Sequence, residues 1–374
     1  MIYILIALFL LLLSYNYEFK QNDSRVPNTR WFPFILFVFT IIAGFRDGLG
    51  VDTKNYVDFF KQVPTIDYLS KSYFDFTRFR PGFVVFYSIC KFLINNITFA
   101  FVLESLFVNY VVLLFIKKHT KYPYLSVLLY FIINYLEFNM EIQREAIAVA
   151  LVLLAWMKYE DKKYIYSLCC FALATTFHIS SIFAITIPLL DKIKFNKMWI
   201  VIAIVLIVVI PTVFFAIPNL SVIVELLLNS NQSAVVDEYT AQSFNQDLNL
   251  NYFLLHLIHY GFMAYALYYL KSKGHNRYAG HILIYMVLMY MTAVSYGFYR
   301  FTNYLACFYI LVLSDFLICF LRTNRFVRKI PKLVLVVFLV YLTYYHESKL
   351  MIYDEVNLEY SYERYFPYKS ILFS

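Results

Sequence analysis

The chain has 374 residues, of which 61% are apolar, 21% are aromatic and only 15% are charged, against roughly 25% charged in an ordinary soluble domain. A water-soluble globule of this size needs a polar surface that this composition does not supply, which excludes a cytosolic enzyme, a disordered chain and a disulfide-stabilised scaffold. The net charge of +8 comes largely from Lys and Arg in short links between apolar blocks. Such residues set membrane orientation there, so nucleic acid is not an expected partner.

The apolar blocks predict an all-α, polytopic integral membrane protein with about 11 to 13 hydrophobic helices embedded in the lipid bilayer. A spanning helix needs ~20 apolar residues, so the blocks of about 13 residues are predicted to be re-entrant or interfacial. The first block is apolar from Met1, without a basic region or cleavage site, which favours a retained helix over a signal peptide. In chain order the blocks are 1–17, 31–45, 82–94, 97–116, 122–138, 141–157, 164–176, 178–190, 198–217, 251–270, 280–298, 301–320 and 331–346.

Lys and Arg predict the orientation of these helices, because cytoplasmic loops of membrane proteins are enriched in both. Segment 218–250 has no basic residue and the tail after 346 is net acidic, so both are predicted to lie outside. Residues 1–346 then form a single transmembrane domain with outer loops 46–80 and 218–250, followed by an extracytoplasmic tail, 347–374. The links predicted to be cytoplasmic are 18–30, 117–121, 158–163, 191–197, 271–277 and 322–329.

This orientation also predicts how three segments fold. Residues 164–190 lie between two cytoplasmic links, so they must form a hairpin with its tip near His178. Block 97–116 is predicted to cross the membrane, and block 82–94 to be a re-entrant or surface helix.

The outer loop 46–80 is predicted to contain a helix. Tyr56, Phe59, Phe60 and Val63 recur at helical spacing with charged residues between them. This pattern predicts an amphipathic helix that lies along the membrane surface.

Charged side chains gather at the predicted outer ends of the helices, although charge at membrane depth is costly and usually faces a cavity or a partner. Arginine gives bidentate, permanently charged contacts to phosphate oxygens, and a carboxylate or histidine can take a proton from a hydroxyl group. The set therefore fits a site for a pyrophosphate leaving group and an attacking sugar hydroxyl. Its members are Arg46, Asp47, Asp52, Arg78, Arg80, Glu141, Gln143, Arg144, Glu145, His178 and Arg300.

Structural interpretations of the same residues stay open. Arg46 and Arg144 can snorkel from helix ends to the interface. Asp47 can belong only to a turn, Asp52 can cap the amphipathic helix, and His178 can be a packing histidine.

The sequence favours a site without a metal or a cofactor. His256 and His259 lie one turn apart, but no third ligand is apparent, so packing contacts are favoured. Asp47 and Asp52 are not at ligand spacing, although together they could hold a cation. No Gly-rich phosphate loop is present. For Glu104, inside a helix, pairing with a neighbouring helix is favoured over an ion path.

Three motifs resemble the EpsG family of polysaccharide polymerases, which are functionally Wzy-like. The resemblance covers roughly residues 30–190, with Val51 where the family commonly has Thr and Glu145 where it commonly has Gln. The motifs are Gly44-Phe45-Arg46-Asp47-Gly48-Leu49-Gly50-Val51-Asp52-Thr53, Gln143-Arg144-Glu145-Ala146-Ile147-Ala148 and Phe177-His178-Ile179-Ser180.

The resemblance implies a glycosyltransferase of GT-C-like architecture in the bacterial cytoplasmic membrane. Such an enzyme polymerises oligosaccharide repeat units linked to undecaprenyl pyrophosphate on the outer face, for O-antigen, capsule or exopolysaccharide. A chain-length regulator is a further partner that the sequence leaves open.

The resemblance and the charges together give a mechanistic hypothesis. Arg144 and Arg46, with Arg300, hold the pyrophosphate, and Asp52 or His178 activates the acceptor hydroxyl. The supporting residues are Asp47, Gln143, Glu145 and Arg80.

Two other functions stay open at this point. A flippase for lipid-linked sugars should show inverted repeats and broken helices, and neither is visible. A membrane O-acyltransferase could also use a His and an Arg, but the Arg-Asp motif after the second helix argues against it.

Overall fold

The computed structural model of the chain describes residues 2–19, 28–193, 201, 205, 250–275, 277–292, 298–323, 365 and 368–372. Within these ranges the chain is helical, and the only strand-like pairing is an isolated antiparallel bridge between Arg46 and Ser370. The predicted all-α class is therefore confirmed for the described residues. Most of the predicted blocks 198–217 and 331–346, and of loop 218–250, lies outside them.

The helix bounds follow the predicted blocks closely. A π-helical turn, Tyr15–Phe19, extends the first helix, a second, Phe131–Tyr135, joins α7 to α8, and a 3-10 helix, Ile179–Thr186, leads into α11. The α-helices are α1 (Ile2–Ser14), α2 (Phe32–Gly44), α3 (Thr53–Gln62), α4 (Tyr73–Phe76), α5 (Pro81–Leu93), α6 (Ile97–His119), α7 (Pro123–Tyr130), α8 (Leu136–Met140), α9 (Gln143–Glu160), α10 (Tyr164–Phe177), α11 (Ile187–Leu190), α12 (Leu250–Ser272), α13 (Ala279–Met291), α14 (Tyr299–Asn303) and α15 (Ala306–Thr323).

Two helices of the described ranges are long and apolar enough to cross a bilayer, namely Ile2–Phe19 and Ile97–His119. The second has 23 residues and is about 35 Å long, more than a hydrocarbon core of about 30 Å. Helix α5 has 13 residues and is about 20 Å long, too short to cross by itself. These lengths agree with the predicted crossing of block 97–116 and with the predicted re-entrant or surface character of block 82–94.

The basic links meet at one end of the helix bundle. Glu160, the last residue of α9, lies 3.0 Å from Arg277, 2.5 Å from His119 and 3.6 Å from Lys118. Burial raises the pKa of Glu160, but the hydrogen bond to His119 and the charges of Arg277 and Lys118 outweigh it and hold the pKa below its ordinary value. Three links that are far apart in the sequence are thus joined through one carboxylate.

Glu18 connects the links 18–30 and 322–329 at the basic end of the helix bundle. Its carboxylate accepts hydrogen bonds from the backbone N–H groups of Tyr124 (2.5 Å) and Leu125 (2.9 Å). Its carbonyl oxygen accepts a hydrogen bond from the Arg322 guanidinium at 2.6 Å. The grouping of the basic links that the Lys and Arg pattern predicts is therefore present in the fold.

The opposite end of the bundle contains the loop after α2 and the last residues of the chain. The Ile371 N–H donates to the Phe45 carbonyl (3.1 Å), and the Asp47 N–H donates to the Lys369 carbonyl (3.0 Å). In its described residues, the predicted tail 347–374 therefore packs on the loop that was predicted to share its side.

The predicted amphipathic helix is present as α3, but its apolar face does not lie against a membrane surface. Tyr56, Phe59 and Phe60 are buried, and the Phe59 ring lies 4.0 Å from the ring of Phe79 and 5.9 Å from that of Phe83. Helix α5 and the segment before it supply the covering rings. The predicted position along the membrane surface is therefore wrong for this face, because protein covers it.

The predicted hairpin within 164–190 is confirmed. Helix α10 packs along α9 and ends where the His178 N–H donates to the Ala174 carbonyl (3.0 Å). The chain then returns to Asp191, whose carboxylate lies 3.7 Å from His281, at the basic end. His178 is thus the tip, at the opposite end of the bundle.

Gly50 supports the junction between α3 and α8, and we expect Gly50→Ala to destabilise the fold. Its φ is +92°, and an added Cβ would lie 2.2 Å from the Met140 carbonyl oxygen. Gly48 also has a positive φ (+64°), but its Cβ would meet nothing within 4 Å. Backbone strain costs about 1–3 kcal/mol at either glycine, and only Gly50 adds a steric clash.

Thermal unfolding midpoints of Gly50→Ala and Gly48→Ala in the same detergent check this prediction. The midpoint of Gly50→Ala should fall further. Equal midpoints would contradict the close packing of Gly50 on Met140.

Candidate active site

The site is built where α9 begins, at the end of the bundle opposite the basic links. The chain leaves α8 at Met140 and re-enters a helix at Gln143. The first turn of α9 therefore places Gln143, Arg144 and Glu145 at this end. Since α10 ends at Phe177 and α14 begins at Tyr299, both bring polar side chains to the same region.

Three arginines from three elements lie close enough to His178 to act on it electrostatically. The charges of Arg300, Arg144 and Arg80 all act on its imidazole. All four side chains are partly exposed rather than sealed in the core. The structure thus gathers four predicted site residues whose sequence positions span 80 to 300.

Glu145 and His178 form the centre of this cluster. The Glu145 carboxylate lies 3.9 Å from His178 Nε2 and accepts a hydrogen bond from the Asn303 amide at 3.1 Å. The charges of Arg300 and Arg144 also act on Glu145. The carboxyl group therefore lies beside the imidazole, within ion-pair distance but beyond hydrogen-bond distance.

A hydroxyl pair fixes the other side of the imidazole. His178 Nδ1 is hydrogen bonded to the Ser180 hydroxyl, which lies 3.0 Å from the Tyr304 hydroxyl. Ser180 belongs to the third sequence motif, whereas Tyr304 was missed among 36 tyrosines. It follows Arg300 by four residues, one helical turn, and that spacing was the signal available.

Arg144 is partly exposed, and part of its hydrogen-bonding capacity is unused among the described residues. Its guanidinium lies 4.9 Å from the centre of the Phe79 ring, and its charge acts on the Tyr56 hydroxyl, which donates a hydrogen bond to the Glu141 carbonyl at 2.8 Å. Its buried Nε has no hydrogen-bond partner among the described residues. A buried charged donor without a partner is costly, so an anionic ligand would satisfy it. Phe79 and the Tyr56 hydroxyl were not predicted.

Asp52 lies at the edge of the cluster, next to Tyr56. It occupies the position before α3, but its side chain makes no capping hydrogen bond. Instead its carboxylate accepts a hydrogen bond from the Asn55 amide at 3.3 Å, and its charge acts on Tyr56. The predicted capping geometry is therefore absent, and the partly exposed carboxylate is available to a ligand. Asp47 is exposed in the turn before Gly48.

The structure does not bring Arg46 into the cluster. Its side chain is only 3% exposed. The guanidinium lies 4.0 Å from the centre of the Phe101 ring and donates a hydrogen bond to the Ala43 carbonyl (2.5 Å). The carboxylate whose charge acts on it is Glu104 of α6. These contacts explain why Arg46 neither snorkels nor reaches a ligand with Arg144, so the predicted pyrophosphate contact of Arg46 is abandoned.

Gln143 is also structural. It is fully buried, and its side-chain oxygen accepts a hydrogen bond from the Tyr87 hydroxyl at 3.0 Å. It therefore joins α9 to α5 behind the cluster.

No group of three His, Cys, Asp or Glu side chains in the described ranges lies close enough together to hold a metal ion. His259 Nε2 lies 3.3 Å from the Tyr309 hydroxyl, a packing contact. The expectation of a metal-free site stays a prediction.

Comparison with known families identifies the family of the chain. A sequence model of the EpsG family matches residues 29–370, nearly the entire chain. The chain belongs to the EpsG family. EpsG proteins are Wzy-like polysaccharide polymerases, so a polymerase-type role and a helical membrane protein follow for this member.

The EpsG match extends well beyond residues 30–190, where the sequence motifs lie. It includes α12 to α15, which supply Arg300, Asn303 and Tyr304 to the site. No curated protein and no solved structure matches the chain significantly.

Proposed function

We propose that this EpsG-family protein polymerises oligosaccharide repeat units carried on undecaprenyl pyrophosphate, at the outer face of the bacterial cytoplasmic membrane. The observation that carries the proposal is the gathering of Arg80, Arg144 and Arg300 around His178 at the end of the bundle opposite the basic links. Positive-inside orientation would put that end outside.

The reaction is a glycosyl transfer. A hydroxyl oxygen of the acceptor repeat unit forms a bond to the anomeric carbon of the donor chain, and the bond from that carbon to the lipid pyrophosphate breaks. The lipid pyrophosphate leaves with the bonding electron pair, and the acceptor proton passes to a base. Breaking the pyrophosphate link supplies the driving force, so no nucleotide is consumed.

The arginines hold the pyrophosphate and stabilise the charge that develops as it leaves. Arg144 is partly exposed and its Nε has no hydrogen-bond partner within the described part of the chain, and Arg300 and Arg80 add fixed positive charge. Guanidinium groups suit this role because they bind phosphate oxygens in a fixed bidentate geometry.

Asp52 is the better candidate for the base. Because like charges repel, the positive charges of Arg300, Arg144 and Arg80 disfavour a proton on the His178 imidazole. Asp52 lies beyond Tyr56, on the side of α3. We assign proton acceptance to Asp52 and positioning of the donor pyrophosphate to His178 and Glu145.

We expect Asp52→Asn to lower polymer formation about 10²–10⁴-fold, the usual contribution of a general base. The matched control is Asp67→Asn, an exposed carboxylate of the same outer loop that should leave the rate unchanged. The rate of polymer formation at saturating lipid-linked repeat unit is the measurement. Equal rates for the two variants would remove Asp52 from the mechanism.

The function itself is tested with purified protein in proteoliposomes supplied only with a lipid-linked repeat unit. Polymer formed without an acyl donor identifies a polymerase. Translocation of the unit without polymer would identify a flippase, and reaction only with an acyl donor would identify an acyltransferase; either result would refute the proposal.

A further inference from the structure

A groove opens beside the site, between α3, α4 and the segment before α5. Its volume is about 530 Å³, and Asn55, Gln62, Phe76, Arg78 and Phe79 are among its lining residues. That volume is within the range of about 300–1,000 Å³ typical of small-molecule sites. Neither the sequence motifs nor the proposed chemistry uses this groove.

The lining chemistry fits a sugar. Asn55 and Gln62 each carry both amide donors and an acceptor oxygen, and sugar hydroxyls need both. Phe76 is 90% exposed, so its ring offers a flat face to the C–H face of a sugar ring. An aromatic face combined with amides and a guanidinium is a polar arrangement, unlike the uniformly apolar surface that a lipid chain prefers.

The groove contacts both the Arg144 side of the site and the Asp52 side. Phe79 forms part of its wall and lies under the Arg144 guanidinium, 4.9 Å from the ring centre. Asn55, also in the wall, donates its amide hydrogen bond to Asp52 at 3.3 Å. A saccharide in the groove would therefore lie next to Asp52, with the arginine cluster behind Phe79.

We propose that this groove binds the saccharide of the acceptor repeat unit and presents its hydroxyl to Asp52. The acceptor role rests on the proposed polymerase function, whereas carbohydrate binding in the groove does not. Phe76 stacks on the sugar, Gln62 and Asn55 bind its hydroxyl groups, and Arg78 adds a further donor. The groove contributes binding affinity for the acceptor, whereas the arginine cluster raises the rate of glycosyl transfer.

The test measures binding of the lipid-free repeat-unit oligosaccharide, released from the host's lipid carrier by mild acid, to the full-length protein in nanodiscs. Phe76→Ala and Gln62→Ala should each raise the Kd about tenfold, the effect of losing one good contact. The matched control is Tyr68→Ala, an aromatic residue of the same loop that is 78% exposed and lies outside the groove. All three positions are exposed, so the variants should fold.

Kinetics give the second readout. Phe76→Ala should raise the KM for the lipid-linked unit with little change in kcat, whereas a variant of the arginine cluster should lower kcat. An unchanged Kd in Phe76→Ala and Gln62→Ala, or an equal rise in Tyr68→Ala, would overturn the groove assignment. Quenching of a fluorophore at Phe76→Cys by spin-labelled lipid chains would also overturn it, since the groove would then face lipid.

Different results would refute the polymerase function and the saccharide-binding groove. Oligosaccharide binding that depends on Phe76 and Gln62, without polymer from the lipid-linked unit, would refute the polymerase function and support the groove. Polymer formation with the Kd unaffected in both groove variants would refute the groove alone.

Discussion

Arg144→Ala is expected to reduce polymer formation by about 10²–10³-fold at saturating substrate, because it removes a donor that stabilises the departing pyrophosphate. The loss should appear in kcat, with the thermal midpoint nearly unchanged, since the side chain is partly exposed and its Nε is unpaired. Arg144→Lys should recover only a small part of the rate, because an ammonium group lacks the bidentate geometry of a guanidinium.

The matched control is Arg277→Ala. Arg277 pairs with a carboxylate, Glu160, and lies at the basic end of the bundle, away from the site. Its loss should leave kcat unchanged. An Arg144→Ala protein that is made at normal levels and still produces long chains at the original rate would remove the arginine from the mechanism.

His178→Ala is the second variant with a large expected effect, a fall of about 10²-fold or more in kcat. The imidazole is held between Glu145 and Ser180, so its removal leaves the carboxylate to pair with the arginines that should hold the pyrophosphate. Ser180→Ala frees only one side of the ring and should cost less. The measurement is the chain-length distribution together with the initial rate of polymer formation.

The control for this variant is His275→Ala, an exposed histidine of the link before α13. It should behave as the unmodified protein does. A larger effect of Ser180→Ala than of His178→Ala would show that Ser180 acts for itself, and would contradict the positioning role given to the imidazole.

Much of the fold could be predicted because the length of apolar segments and the distribution of positive charge determine membrane topology. Apolar block length gave the helices, and the distribution of Lys and Arg grouped their ends, as the contacts of Glu160 and Glu18 confirm. The same grouping also predicts that Arg144, His178 and Arg300 lie at one end of the bundle. The hairpin tip at His178 followed from topology alone.

The sequence could not predict where individual side chains point, or whether lipid or protein covers an apolar helix face. The spacing of Tyr56, Phe59 and Phe60 gave α3 an apolar face, but periodicity does not say whether lipid or protein covers it. Arg46 lies two residues after the end of α2, and the sequence does not show whether its side chain turns toward the cluster or toward Phe101. With 39 Phe and 36 Tyr in the chain, no pattern could distinguish Phe76 or Phe79 as lining a groove.

The central claim is that Arg80, Arg144 and Arg300 share one pyrophosphate pocket open to the outer face. The most direct test is labelling of single cysteines at these positions, in a protein otherwise without cysteine, by a membrane-impermeant maleimide with and without undecaprenyl pyrophosphate. All three should be labelled from outside and protected by the lipid pyrophosphate, while a cysteine at position 277 should react only from the cytoplasmic side. Labelling of the three from opposite sides, or no protection at any of them, would contradict the shared pocket.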